Sequence, residues 1–178
     1  LGMPRSTVAR VLQRAGLQRL TLLEPREPAN RYERKRPGEL IHLDIKKLAR
    51  IGGRVGHRIH GDRSIRVRGK GWEFVHVAID DHSRLAYVEV LREEKGGTAT
   101  GFLERAIAWF RRHGIRVERV RTDNGACYRS HAFRLVCIKH TIRNLYTRPY
   151  RPQTNGKAER FIQTLLREWA YVRPYKDS

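Results

Sequence analysis

Two apolar, β-branched runs, Trp72 to Ile79 and Leu85 to Leu91, are separated only by the short turn Asp80-Asp81-His82-Ser83-Arg84. Runs that close pair as a hairpin, so antiparallel strands open the core. Glu39 to Leu48 adds a strand ahead of them, with Leu40, Ile41, Leu43 and Ile45 around Asp44. Between these strands, Arg50 to Gly71 is rich in Gly, Arg and His, lacks a sustained period, and reads as a long basic hairpin or loop. The pattern then changes. Thr98 to His113 sets Phe102, Ala106, Trp109 and Phe110 on one helical face, and Gly114 supplies the stop. Ile115 to Arg121 reads as a strand, Ser130 to Lys139 as a short helix on Phe133, Val136 and Cys137, and Thr141 to Tyr146 as a last strand. A strand meander followed by alternating helix and strand predicts an α/β fold, a mixed five-stranded sheet flanked by helices.

The stretch from Thr147 to Trp169 closes that core. Pro149 and Pro152 disfavour a helix before about residue 153, and Asn155-Gly156 is a turn or cap signal at which a helix starts. Beyond it, Ala158, Phe161, Ile162, Leu165, Leu166 and Trp169 form one apolar stripe at about 100° per residue. Glu159 falls at the margin of that stripe. It is expected neither fully buried nor fully free, pointing into a cleft beside the core.

The 178 residues suffice for one ordinary core and an appendage. Lys and Arg number 38 against 18 Asp and Glu, a formal charge of +20. With a pI near 11.1, this excess favours a polyanionic partner, nucleic acid ahead of an acidic membrane surface. No apolar run reaches membrane-spanning length and no signal peptide is visible. Cys127 and Cys137 form neither a metal pattern nor a disulfide framework, which predicts a reducing, cytoplasmic setting.

Residues 1–20 contain a short basic helix. Ser6 can cap it, Val8, Val11, Leu12 and Ala15 share one face, Gly16 can end it, and Arg5, Arg10 and Arg14 lie outside the stripe. This resembles the recognition helix of a helix-turn-helix, and an ordinary amphipathic helix accounts for the residues as well. The chain opens at Leu1 inside that motif and is expected to be a fragment. Residues 21–38, with three prolines and the Arg34-Lys35-Arg36 cluster, form a basic linker. The core is expected over 39–172, and a tail over 173–178.

Three carboxylates stand at the ends or edges of core elements: Asp44 within the first strand, Asp123 just past the fourth, and Glu159 on the last helix. A strand residue between apolar neighbours is buried on at least one face, where an unpaired carboxylate is costly. Asp44 therefore calls for a cation, either Lys46 or Lys47 in an ion pair or a metal ion. Asp123-Asn124-Gly125 is equally a strong turn signal, and Glu159 also fits an exposed helix acid paired with an Arg. Spacing alone decides nothing. Asp80 is a rival carboxylate, but the short turn after it suits a structural role. His42 and His82 read as packing or hydrogen-bonding residues rather than metal ligands. Lys157, Arg148, Arg151 and Arg160 suit contact with DNA phosphates, with general solvated charge as the alternative. Asn124, Gln153 and Asn155 suit orientation of the site or of a DNA end, or else turn and cap roles.

Four stretches taken together carry a resemblance: Leu43-Asp44-Ile45, Ala78-Ile79-Asp80-Asp81-His82-Ser83-Arg84, Thr122-Asp123-Asn124-Gly125, and the run from Arg148 to Arg160. The segment from Glu39 to Trp169 resembles the catalytic core of DDE transposases of bacterial insertion-sequence type and of retroviral-type integrases, whose fold is ribonuclease-H-like. That resemblance implies a metal-dependent transposase that cleaves phosphodiesters and transfers strands by in-line displacement. It makes Asp44, Asp123 and Glu159 the triad holding two Mg²⁺ or Mn²⁺ ions per site, with Asp44 bridging both. Water would attack first to release a 3′-hydroxyl, which then attacks target DNA. The implied partners are transposon-end and target DNA, with a homo-oligomer formed on DNA and no membrane. The paired His and Cys of the zinc-binding domain in retroviral integrases are not seen, and the insert from Arg50 to Gly71 is long. Both favour the insertion-sequence branch. A ribonuclease-H-like nuclease without strand transfer and a catalytically inactive DNA-binding fragment remain the alternatives.

Overall fold

A computed structural model describes residues 2–17, 33–50, 71–147 and 156–170. The chain divides into two compact units, Leu1–Tyr32 and Glu33–Ser178. In the first, helix α1 spans Arg5–Arg14 and buries none of its residues. Ser6 lies inside this helix and does not cap it. Pro4 takes the cap position with φ −59° and no side-chain bond, because its ring presets the backbone for a first turn. Gly16, at φ +71°, ends the helix as expected.

The second unit is a sheet wrapped by helices. Its strands are β1 (Ile41–Ala49), β2 (Trp72–Asp80), β3 (Ala86–Leu91), β4 (Arg119–Thr122) and β5 (Arg143–Tyr146), in the order β3-β2-β1-β4-β5. The β1, β2 and β3 pairings are antiparallel, whereas β1–β4 and β4–β5 are parallel. Helices α2 (Gly96–Arg112) and α3 (His131–Lys139) supply the connections to β4 and β5. Helix α4 (Gly156–Leu165) follows the sheet and runs into a π-helical turn, Leu166–Ala170. The expected mixed α/β sheet is present.

Two cores, one on each sheet face, hold it together. Ile41, Leu43, Ala78 and Val120 pack with Phe102 and Phe110 of α2 and Phe133 of α3. On the opposite face Leu48, Val75 and Val77 meet Ile162 of α4 and Ala170 of the π-turn. This is why β2 is buried from Phe74 to Asp80 without alternation: helices cover both of its sides. Full burial of a Phe or Leu side chain contributes about 2 kcal/mol, so each face is anchored by a few such residues.

The structure corrects two boundaries. Ile115 and Val117 are buried but precede the ladder, which starts at Arg119. Their apolar alternation reports packing against the end of α2, not strand pairing. Trp169 belongs to the predicted stripe yet is 45% exposed, while Ala170 is buried. The π-turn takes more residues per turn, so the chain rotates less per residue after Leu165 and the stripe falls one residue later. Arg50 donates its N–H to the carbonyl of Gly71 at 3.2 Å, closing the β1–β2 pair at the outer end. The basic insert itself, residues 51–70, lies outside the described residues.

Candidate active site

Side chains two apart on a strand share a face. On β1, Ile41 and Leu43 enter the core beneath α2 and α3, so His42, Asp44 and Leu48 face α4, as the packing of Leu48 against Ile162 shows. Asp44 stands opposite Val77 of β2. On the other side, β4 runs parallel with Ile41 facing Val120 and His42 facing Arg121. The same offset carried on to Asp44 reaches Asp123, just past the end of β4. Helix α4 crosses this face with Ala158 fully buried, and Glu159 sits exposed in its first turn.

Electrostatics report the convergence. Asp44 is half-buried, and its carboxyl is pushed up to about 6. Burial is the main cause, opposed by the bond its Oδ1 accepts from the Ile45 N–H at 2.8 Å. The negative charges of Asp123 and then Glu159 raise it further, and Lys46 lowers it least of these influences. Lys47 lies over the rings of Trp72 and Phe74, 4.8 and 5.4 Å from their centroids. Asp44 therefore lacks a lysine ion pair among the described residues, and the charges of Asp123 and Glu159 act on it more strongly than that of Lys46.

The Asp123 turn is also built as a turn. Asp123 Oδ1 accepts the Gly125 N–H at 2.8 Å, and Asn124 Nδ2 donates to the carbonyl of Thr147 at 3.0 Å. A Cβ at Gly125 would come within 2.9 Å of that Oδ1, so glycine permits the close approach. Behind it, burial pushes the Cys127 thiol up, with the charges of Asp123 and Glu94 adding to it. The Tyr128 phenol is also held well up, first by burial and then by Cys127, Asp44, Asp123 and Glu94. Neither group is an activated nucleophile.

Clustered carboxylates, one of them with a raised pKa and no basic partner, are the hard oxygen donors that Mg²⁺ or Mn²⁺ takes, together with water. In residue type the three fit a divalent ion. As they stand, no three His, Cys, Asp or Glu side chains among the described residues are grouped to hold one. Asp123 Oδ1 accepts a bond within its own loop, and Glu159 is exposed.

The chain is similar to known proteins over most of its length. Models of the integrase core domain match residues 34–152 and 140–178. The chain belongs to the integrase core domain family. A tobacco (Nicotiana tabacum) retrovirus-related Pol polyprotein from transposon TNT 1-94 is 38% identical over 88 residues, 49% of this chain. Uncharacterized protein K02A2.6 of Caenorhabditis elegans is 34% identical over 97 residues, 54% of this chain. The matched stretch spans only 7% of either relative. Among solved structures, a simian T-cell lymphotropic virus intasome in complex with PP2A regulatory subunit B56 gamma aligns with a TM-score of 0.60 and 24% identity, covering 82% of this chain and 47% of that one. The catalytic core domain of BIV integrase aligns with a TM-score of 0.52 and 20% identity, covering 79% and 76%. The fold of this integrase core is accordingly ribonuclease-H-like.

Other residues singled out in the sequence are resolved differently. Asp80 is fully buried and structural: Oδ1 accepts the Gly38 N–H, and Oδ2 accepts the N–H and hydroxyl of Ser83. His42 bonds Asp81, and His82 bonds the carbonyl of Arg34. Both are hydrogen-bonding residues. Lys157 reaches Asp81 at 2.7 Å. Arg160 is exposed and lines a groove with Ile79, Arg84, Phe161 and Thr164. Arg148, Arg151, Gln153 and Asn155 lie outside the described residues. Asp81 carries no candidate role in the sequence motifs. The period of β2, carried one step past Val77 and Ile79 to the α4 face, is the signal that would have found it. Among the described residues, no helix of this integrase core is long and apolar enough to cross a membrane.

Proposed function

We propose that this integrase core is a DDE-type DNA transposase of insertion-sequence type, which cuts and joins phosphodiesters by in-line displacement. The reading rests above all on Asp44, a half-buried strand carboxylate whose raised pKa reflects burial and the nearby charges of Asp123 and Glu159. Acids gathered without a basic partner store repulsion that a cation relieves. Asp44, Asp123 and Glu159 would hold Mg²⁺ or Mn²⁺. Such ions, when bound, supply activation of the attacking oxygen and neutralisation of the leaving one. The chain contributes orientation: Asp44 from the rigid sheet, Asp123 from a glycine-permitted turn, and Glu159 from the first turn of α4. Arg160 and Arg84, at the rim of the adjoining groove, would position phosphates, and the charge of +20 draws DNA to the surface. Transposon-end and target DNA would be the substrates, bound by more than one copy of the chain.

Incubation with labelled linear DNA and Mg²⁺ or Mn²⁺ tests this, scoring cleavage and the joining of pre-cut ends separately. Asp44→Asn, Asp123→Asn and Glu159→Gln should each abolish both products while DNA binding persists. Cleavage that survives one of these changes removes that residue from the mechanism. Cleavage without joining would instead favour a nuclease of the same fold.

A further inference from the structure

Asp81 is completely buried in the turn after β2 and is saturated with partners. Its Oδ1 takes His42 Nε2 at 2.8 Å and Lys157 Nζ at 2.7 Å, and its Oδ2 takes the Arg34 N–H at 2.7 Å. Lys157 Nζ donates also to the Asp81 backbone carbonyl at 3.1 Å, so one residue grips the ammonium at two points. Burial by itself would raise this carboxyl, but the bonds from Lys157, His42 and Arg34 outweigh it and hold the pKa below the usual range. The charge stays on.

The partners of Asp81 are placed suggestively. His42 lies two residues before Asp44 on the same face of β1, and Lys157 lies two residues before Glu159. With Ala158 seated on the sheet, Lys157 and Glu159 splay to its two sides, about 100° each way around the helix. Lys157 turns toward the end of β2, which leaves Glu159 on the other side of Ala158, near enough for its charge to act on Asp44. A cation in the first turn of a helix opposes the helix dipole, so Lys157 is poorly placed there except as the partner of a carboxylate.

The geometry points to Asp81 as a positioning residue: through Lys157 and His42 it sets the rotation of α4 on the sheet and so aims Glu159 at Asp44. This rests on the proposed metal-binding reading of the three acids. Asp81 touches neither DNA nor the reacting atoms. Its contribution is to remove the freedom of the first helical turn, where a lone glutamate would otherwise fray away from the site.

The test is Mn²⁺ affinity of the full chain without DNA, measured by the loss of the free-ion paramagnetic resonance signal, on variants first shown to be folded by thermal melting. Lys157→Met separates positioning from charge. Removing a cation beside an acidic site should tighten Mn²⁺ binding on charge alone, whereas loss of the anchor should weaken it, by about tenfold for a supporting partner. Asp81→Asn should weaken it similarly, and if that variant does not fold, Lys157→Met decides alone. Equal or tighter Mn²⁺ binding by Lys157→Met overturns the positioning role and leaves the metal site standing. Failure of the unaltered chain to bind Mn²⁺ overturns the metal reading and, with it, this one.

Discussion

Gly38 gives its backbone N–H to Asp80 Oδ1 at 2.8 Å, deep inside the protein, across 42 residues of sequence. Gly38 holds φ at +80°, and a Cβ there would collide with the carbonyl of Arg116. Its own carbonyl accepts the Glu118 N–H at 2.8 Å. The strap before β1 is thereby stitched both to the β2–β3 turn and to the approach to β4. Gly38→Ala combines a left-handed backbone with a backbone clash, and should cost more than about 2 kcal/mol. Asp80→Ala should cost a similar amount by orphaning buried donors. Urea denaturation monitored by circular dichroism checks both, and midpoints unchanged from the parent would refute the stitching.

Asp44 gives a prediction with a definite sign. Its folded-state pKa of about 6 lies above its unfolded value, so the folded chain binds the extra proton. Ionised Asp44 therefore costs stability above about pH 6, and the cost vanishes as pH falls below the unfolded value near 4. In metal-free buffer, Asp44→Asn should stabilise the fold at pH 8 by up to about 3 kcal/mol and give no benefit at pH 3.5. Melting curves at the two pH values decide it.

The opposite sign holds for Glu89. Hydrogen bonds from Arg105, 2.7 and 2.6 Å long, are the main cause holding its pKa below the usual range; burial opposes them, and the Tyr87 hydroxyl also donates to it. This pairing between β3 and α2 stabilises the fold above the unfolded glutamate pKa, and is lost as pH falls through the lowered folded one. Arg105 is half-exposed, with 51% of its side-chain surface accessible, so Arg105→Gln should cost only about 1 kcal/mol at pH 7 and less at pH 2.5. An equal cost at both pH values would assign Arg105 a packing role instead.

DNA binding should be strongly salt-dependent. With a formal charge of +20, counterion release should lower the affinity for a short duplex at least about tenfold between 50 and 200 mM salt. Fluorescence anisotropy at several salt concentrations measures the slope. A flat response would argue against a polyanion as partner.

Much of this molecule was readable from the chain because local chemistry decides it. The hairpin at Asp80–Arg84, the helix stop at Gly114 and the start of α4 at Gly156 all follow from short-range turn chemistry and apolar period. So did the resemblance that singled out Asp44, Asp123 and Glu159. The misreadings have tertiary causes. Ile115 and Val117 alternate because they pack, though they pair with no strand. Trp169 leaves the stripe because a π-turn changes the period.

The amino-acid order by itself determined which elements form, their mixed sheet, and which residue types are on hand for phosphodiester chemistry, since these depend on neighbours a few positions apart. Only the folded arrangement decided that β4 lies parallel to β1 on the side away from β2, bringing Asp123 alongside Asp44. It alone showed that Asp81, outwardly one more acid in a turn, is a buried hub gripping His42 and Lys157. Burial and long-range pairing depend on what the rest of the chain covers: the period of β2 can put Asp81 on the α4 face, but it cannot name His42 and Lys157 as its partners.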